Sequence, residues 1–131
     1  MSMTDAISDM LARIRNALLI RKEEVVIPYS LMKESILKIF LDEGYIKDYR
    51  ITTEGKKNLI ASLKYSEDGS SVIRELKRVS LPGRRVYMKP DDMQLVIGGL
   101  GTGVVSTSKG LKTVKQCKQE IIGGEYICQI W

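Results

Sequence analysis

Apolar residues recur at three- and four-residue spacing near the start of the chain: Ile7, Met10, Leu11, Ile14 and Leu18. One face of a helix running to about Arg21 follows from that spacing. Thr4 is its expected N-cap, and Asp5 suits the positive helix end. The stretch "EVVIP" predicts a short strand ended by Pro28. Ser30 then caps a second helix with Met32, Ile36, Ile39 and Phe40 on its buried face, stopped near Gly44. "YIKDYRIT" alternates like a strand with one wet face, "EGKKN" reads as a turn, and "LIASLKY" as the returning strand.

The second half has a different rhythm. "VIRELKRV" and "RVYMK" predict strands around the turn "LPGRR". "PDDMQLVI" predicts one or two helical turns opened by Pro90, and "GGLG" breaks them. "TGVVST" is a strand, and Thr113 opens a short helix with Gln116 placed for a capping box. On that helix Val114, Cys117 and Ile121 form an inward seam, while Lys112, Lys115 and Lys118 face out. A turn at Gly123 and Gly124 leads into the final strand "EYICQIW", where Cys128 either faces inward with Tyr126 and Ile130 or sits opposite them. "SEDGSS", 66–71, is the one stretch that reads as a linker. The expected fold class is α/β (α+β), built as two small packed domains. Residues 1–66 form an α-β-α-β-β domain, 67–71 the linker, and 72–131 a mostly β domain with short helices.

Charge changes the picture at the same boundary. The chain has 131 residues and a net charge of +5. Residues 1–69 balance 11 Lys+Arg against 11 Asp+Glu, whereas residues 70–131 carry 10 against 5. The C-terminal half therefore suits a polyanion. The chain has no histidine and only two cysteines, Cys117 and Cys128, at a spacing that fits no zinc site. No metal constellation can be drawn. The N-terminus reads as neither secretory signal nor transit peptide, and no apolar run approaches the ~20 residues of a membrane span. A soluble intracellular protein is the expectation.

The stretch "VVSTSKGLKT", 104–113, concentrates the candidate chemistry. Ser106 to Lys109 fits Ser-x-x-Lys, but the Ser-Asp-Asn and Lys-Thr-Gly elements of that enzyme class do not occur. The Ser-Lys-Gly order fails the Walker pattern, and the Gly99/Gly101 pair lacks the third glycine of a dinucleotide fingerprint. Asp91 and Asp92 are adjacent and do not face each other on a helix. Binding remains. Hydroxyls and amides donate to phosphate and ribose oxygens, and lysines displace counterions. A second basic cluster, Arg84, Arg85, Tyr87 and Lys89, puts Arg85, Tyr87 and Lys89 on one strand face. Tyr87 there is either a stacking platform for an unpaired base or a half-buried core residue with a wet hydroxyl. A hydrolase using Ser106 and Lys109, or a protein-only scaffold, are the rival readings.

"STSKG", "GGE" with a terminal strand ending in Trp131, "DMLARIRNA", "IPYS...KESILKIFLDEGYI" and "PGRRVY" occur together and in order. The chain resembles the bacterial small-subunit ribosomal protein eight family across essentially its whole length. That resemblance implies no enzyme and no cofactor. It implies a structural protein of the cytoplasmic ribosome that binds the central domain of small-subunit ribosomal RNA and helps assemble the platform. Small-subunit proteins five and twelve are implied as neighbours, with no membrane and no small-molecule substrate. It implies RNA contacts from Ser106, Thr107, Ser108, Lys109 and Gly110, from Arg85, Tyr87 and Lys89, and from Gly123, Gly124 and Glu125. Arg84, Lys112 and Lys115 join them through the basic clusters. Arg13, Arg15 and Arg21 lie away from the apolar stripe of the first helix and form either a solvated face or, as the resemblance implies, a secondary RNA or protein contact. Leu31, Leu81 and Val114 depart from the family's usual charged residues, and Ala6 stands where it usually has proline.

Overall fold

A computed structural model describes residues 5–131. The expected cap Thr4 lies outside the described residues. The described chain forms two compact units, one of Ile7–Arg74 and one of Glu75–Trp131 with Asp5 and Ala6.

The first unit contains α1 (Ala6–Leu19, its first residue excepted), β1 (Glu24–Pro28), α2 (Leu31–Asp42), β2 (Ile46–Thr52) and β3 (Asn58–Leu63). The three strands form an antiparallel sheet in the order β1-β3-β2. Helix α1 buries Met10, Leu11, Ile14 and Ala17, one stripe at helical spacing. It ends two residues before Arg21, which takes a left-handed φ of 55° and so lies outside the helix. Ser30 caps α2 as expected, its hydroxyl accepting from the Lys33 amide. The buried face of α2 is rotated from the expected one. Lys33, Ile36, Leu37 and Phe40 are buried, while Met32 is exposed. The Lys33 ammonium reaches the Pro28 carbonyl at 2.8 Å, which satisfies it in place. "SEDGSS" is an ordered turn: the Ser66 amide donates to Ser70 O, and Tyr65 bridges to Ser71.

The second unit is built on a five-stranded antiparallel sheet. Its strands are β4 (Leu76–Arg78), β5 (Tyr87–Met88), β6 (Thr102–Thr107), β7 (Gly110–Thr113) and β8 (Gly124–Ile130). The order is β4-β8-β6-β7, with β5 also on β8. The expected strands "VIRELKRV" and "RVYMK" shrink to β4 and β5, because each is a short edge piece on β8. Short 3₁₀ segments occupy Pro90–Asp92 and Val96–Gly99. Helix α3 (Val114–Glu120) packs on β6 and β7 and is opened by a full Thr113/Gln116 capping box. Its N-terminal Val114 is buried, so the departure at this position places no group on the surface. Ile121, expected in the inward seam, takes the left-handed cap position and is 80% exposed. Ile122 packs on the core instead, with Met93, Val105, Val114, Cys117 and Tyr126.

A bulge in β8 decides which side chains reach which face. Tyr126 pairs with Val105 and Cys128 with Val104, leaving Ile127 extra. Val104 and Val105 point to opposite faces, so Tyr126 and Cys128 do too. Cys128 therefore shares its face with Ile130 and opposes Tyr126. Burial pushes the Cys128 thiol up to about 12 from its ordinary 9.0, with Arg78 opposing weakly. Cys117 and Tyr126 shift upward for the same reason.

The sign of the pH dependence follows. Between pH 9 and about 12 the unfolded Cys128 thiol loses its proton and the folded one keeps it. The unfolded state binds fewer protons, so stability falls as pH rises through that window. Urea unfolding from pH 8 to 10.5 is expected to show a steeper decline for the native chain than for Cys128→Ala. Equal slopes would contradict the assignment.

Candidate nucleic-acid interface

The surface begins with the β6–β7 hairpin. Ser108 and Lys109 make its turn, and Gly110 rejoins β7 at φ 98°, a left-handed position that favours glycine. The Thr107 hydroxyl donates to the Gly110 carbonyl at 2.7 Å and accepts from the Lys109 amide at 3.1 Å. Thr107 thus braces the turn, and its hydroxyl is already engaged. The Ser106 and Ser108 hydroxyls have no partner among the described residues. No hydrogen bond joins Ser106 to Lys109 among those residues, so the nucleophile–base contact of a hydrolase is missing.

Register carries the hairpin to the other cluster. Ser106 pairs with Glu125 on β8, and Glu125 pairs with Tyr87 on β5. Directly opposed residues share a face, so the three side chains form a row across the sheet, roughly 10 Å long. Tyr87 is 70% exposed, so it is not a half-buried core residue. Lys89 stays extended (φ −81°, ψ 155°), so alternation returns it to the Tyr87 side. Arg85 reaches the same side: its Nη1 donates to Glu125 Oε2 at 3.0 Å.

Two glycines allow this approach. A Cβ on Gly124 would collide with the Ser106 carbonyl, and one on Gly123 would come 2.6 Å from the Met88 carbonyl. Their task is close backbone packing of β8 between β5 and β6. They also line an open cleft of ≈ 480 Å³ with Tyr87, Met88, Lys89, Pro90 and Asp92.

Glu125 does not hold the hydroxyl turn. Its carboxylate accepts from the Ser80 hydroxyl at 2.6 Å and from Arg85, which ties it to the Pro-Gly loop. In that loop Leu81 and Arg84 pair backbone to backbone around Pro82-Gly83, and Leu81 is exposed. Arg84, Lys89 and Lys109 are exposed and carry no ion pair among the described residues.

Not every expected residue joins this face. Lys112 opposes Val105, so it points to the other side, where its ammonium pairs with Glu120 of α3 at 3.1 Å. The expected outward lysine row on α3 breaks for that reason. Lys118 bends back to the Pro90 and Met93 carbonyls at 3.2 and 2.7 Å. Lys115 is exposed, but it stands on α3, which covers the opposite face. In the first unit Arg13 pairs with Asp9 at 2.8 Å, and Arg15 and Arg21 are exposed. Leu31 is exposed there as well. Ser80 was missed by sequence reasoning, since a lone serine before a turn carries no signal of its distant partner. Among the described residues no acidic, cysteine or histidine cluster could hold a metal, and no helix is long and apolar enough to cross a membrane.

The family model described as ribosomal protein S8 matches residues 5–131. The chain is 52% identical over 132 aligned positions to the small ribosomal subunit protein uS8 of Halothermothrix orenii, covering 100% of both chains. It is 50% identical to that of Thermodesulfovibrio yellowstonii over 129 positions, 98% of each, and 47% to that of Clostridioides difficile over the full length of both. With matches of this length and identity, the chain belongs to the ribosomal protein S8 family.

Proposed function

We propose that the protein is a structural constituent of the small ribosomal subunit that binds the central domain of its RNA and helps organise the platform. The observation that carries this reading is the exposed Tyr87 ring in line with the unpartnered Ser106 hydroxyl. A flat aromatic stacks on an unpaired base, while neighbouring hydroxyls read ribose and base edges. Arg84, Lys89 and Lys109 supply phosphate attraction around that row. Glu125 adds no net repulsion, because Arg85 neutralises it. No bond is made or broken. The protein acts by fixing the shape of the RNA. Small-subunit proteins five and twelve are the proposed neighbours, and Arg13, Arg15 and Arg21 secondary contacts.

Ser108→Ala is expected to weaken binding to a central-domain RNA fragment about three- to tenfold, the worth of one hydrogen bond. Its affinity for a scrambled RNA of equal length should stay within about twofold, since it carries no charge. Lys115→Ala, on the reverse side, should lower both affinities slightly and equally. Filter binding at fixed salt measures all four. Equal losses for both variants on both RNAs would overturn the site assignment.

A further inference from the structure

We infer that Ser80 is a positioning residue for the nucleic-acid surface, acting through Glu125 on Arg85 and Tyr87; this rests on the function proposed above. Ser80 is fully buried, a place where a hydroxyl needs partners. It has two. Its Oγ donates to Glu125 Oε2 at 2.6 Å and accepts from the Val86 amide at 3.1 Å. Ser80 and Val86 are the two sides of the neck of the Pro-Gly loop. The hydroxyl therefore closes that neck and fastens it to β8 in one step.

The position of Glu125 gives this latch its reach. Glu125 is the middle member of the row, opposite both Tyr87 and Ser106. Its side chain is only 17% exposed, so its charge depends on donors inside the protein. Ser80 and Arg85 are the donors. With Ser80 in place the carboxylate is turned toward the loop, Arg85 is held beside it, and Tyr87 follows one residue after the anchored Val86. Without the hydroxyl, both the Val86 amide and Glu125 lose a partner. The carboxylate is then free to swing toward the face where phosphates arrive, and the Tyr87 strand, still paired with β8 through its backbone, loses its side-chain tie to Ser80. A serine that only satisfied the core would affect stability and leave Tyr87 energetically independent.

Coupling to Tyr87 separates these roles. Affinity is measured for the unaltered chain, Ser80→Ala, Tyr87→Ala and the double variant, on the central-domain fragment and the scramble. Ser80→Ala is expected to weaken fragment binding about tenfold and scramble binding less than about twofold. Tyr87→Ala should cost markedly less in the Ser80→Ala background than alone. Full additivity, or equal losses on both RNAs, overturns the inference. If Ser80→Ala fails to fold, Glu125→Gln takes its place. That variant keeps an acceptor for Ser80 and drops the Arg85 ion pair, and additivity with Tyr87→Ala again overturns the inference. An unaltered chain with no preference for the fragment overturns the proposed function itself, and the inference falls with it.

Discussion

Arg78→Ala is expected to destabilise the protein by about 3–5 kcal/mol, the usual cost of breaking a buried ion pair from one side. The Arg78 side chain is 9% exposed. Its Nε donates to Asp5 Oδ2 at 3.1 Å and its Nη1 to the Ile127 carbonyl at 2.8 Å. Ile127 is the extra residue of the β8 bulge, where ladder pairing is interrupted. The guanidinium thus serves a carbonyl at the bulge and a largely buried carboxylate together. Truncation takes one charged donor from each, although the Ile127 carbonyl keeps the Val79 amide at 3.0 Å. Arg50→Ala is the comparison, because the Arg50–Glu24 pair is shorter, at 2.6 Å, but about half exposed on both sides. That variant should cost far less, because water screens an exposed pair. Urea unfolding of the two variants reads the difference. Equal losses would mean that burial at Arg78 does not set its contribution.

Tyr87→Ala is expected to reduce affinity for the central-domain fragment by about 1–3 kcal/mol, or roughly five- to 150-fold. Tyr87→Phe should retain most of the affinity, since the ring does the stacking. Neither change should move the unfolding midpoint much, because the ring is 70% exposed and lies outside the core. Calorimetric titration with the fragment tests this, with thermal unfolding beside it. Native-like binding by Tyr87→Ala would remove the platform from the site. A loss by Tyr87→Phe as large as that of Tyr87→Ala would assign the role to the hydroxyl.

Local signals in the sequence were read correctly where one element decides them. The α1 stripe, the Ser30 cap and the Thr113/Gln116 box each depend on residues within a few positions of one another. The Pro-Gly turn does too. Features set by a distant partner were not legible. Strand β7 is too short to show a period, and its face follows from pairing with β6, so spacing alone puts Lys112 on the helix. Ile121 stands one position past the end of α3, at the left-handed cap, where helical spacing no longer sets which way a side chain points. The burial of Lys33 depends on the Pro28 carbonyl, which spacing cannot show. For the same reason the partners Asp5 and Arg78, 73 residues apart, gave no sign. On the candidate surface the residue types were visible from composition and motif. Their division into outward groups (Ser106, Ser108, Tyr87) and braces (Thr107, Gly124, Glu125) needed the register.

The most direct measurement is the affinity for a central-domain fragment and its scramble over a range of salt concentrations. The account predicts tight binding to the fragment, a clear preference that persists at higher salt, and a modest salt slope, as expected when base and ribose contacts add to phosphate attraction. Equal binding to both RNAs with a steep salt slope would contradict it, reducing the surface to a basic face without recognition.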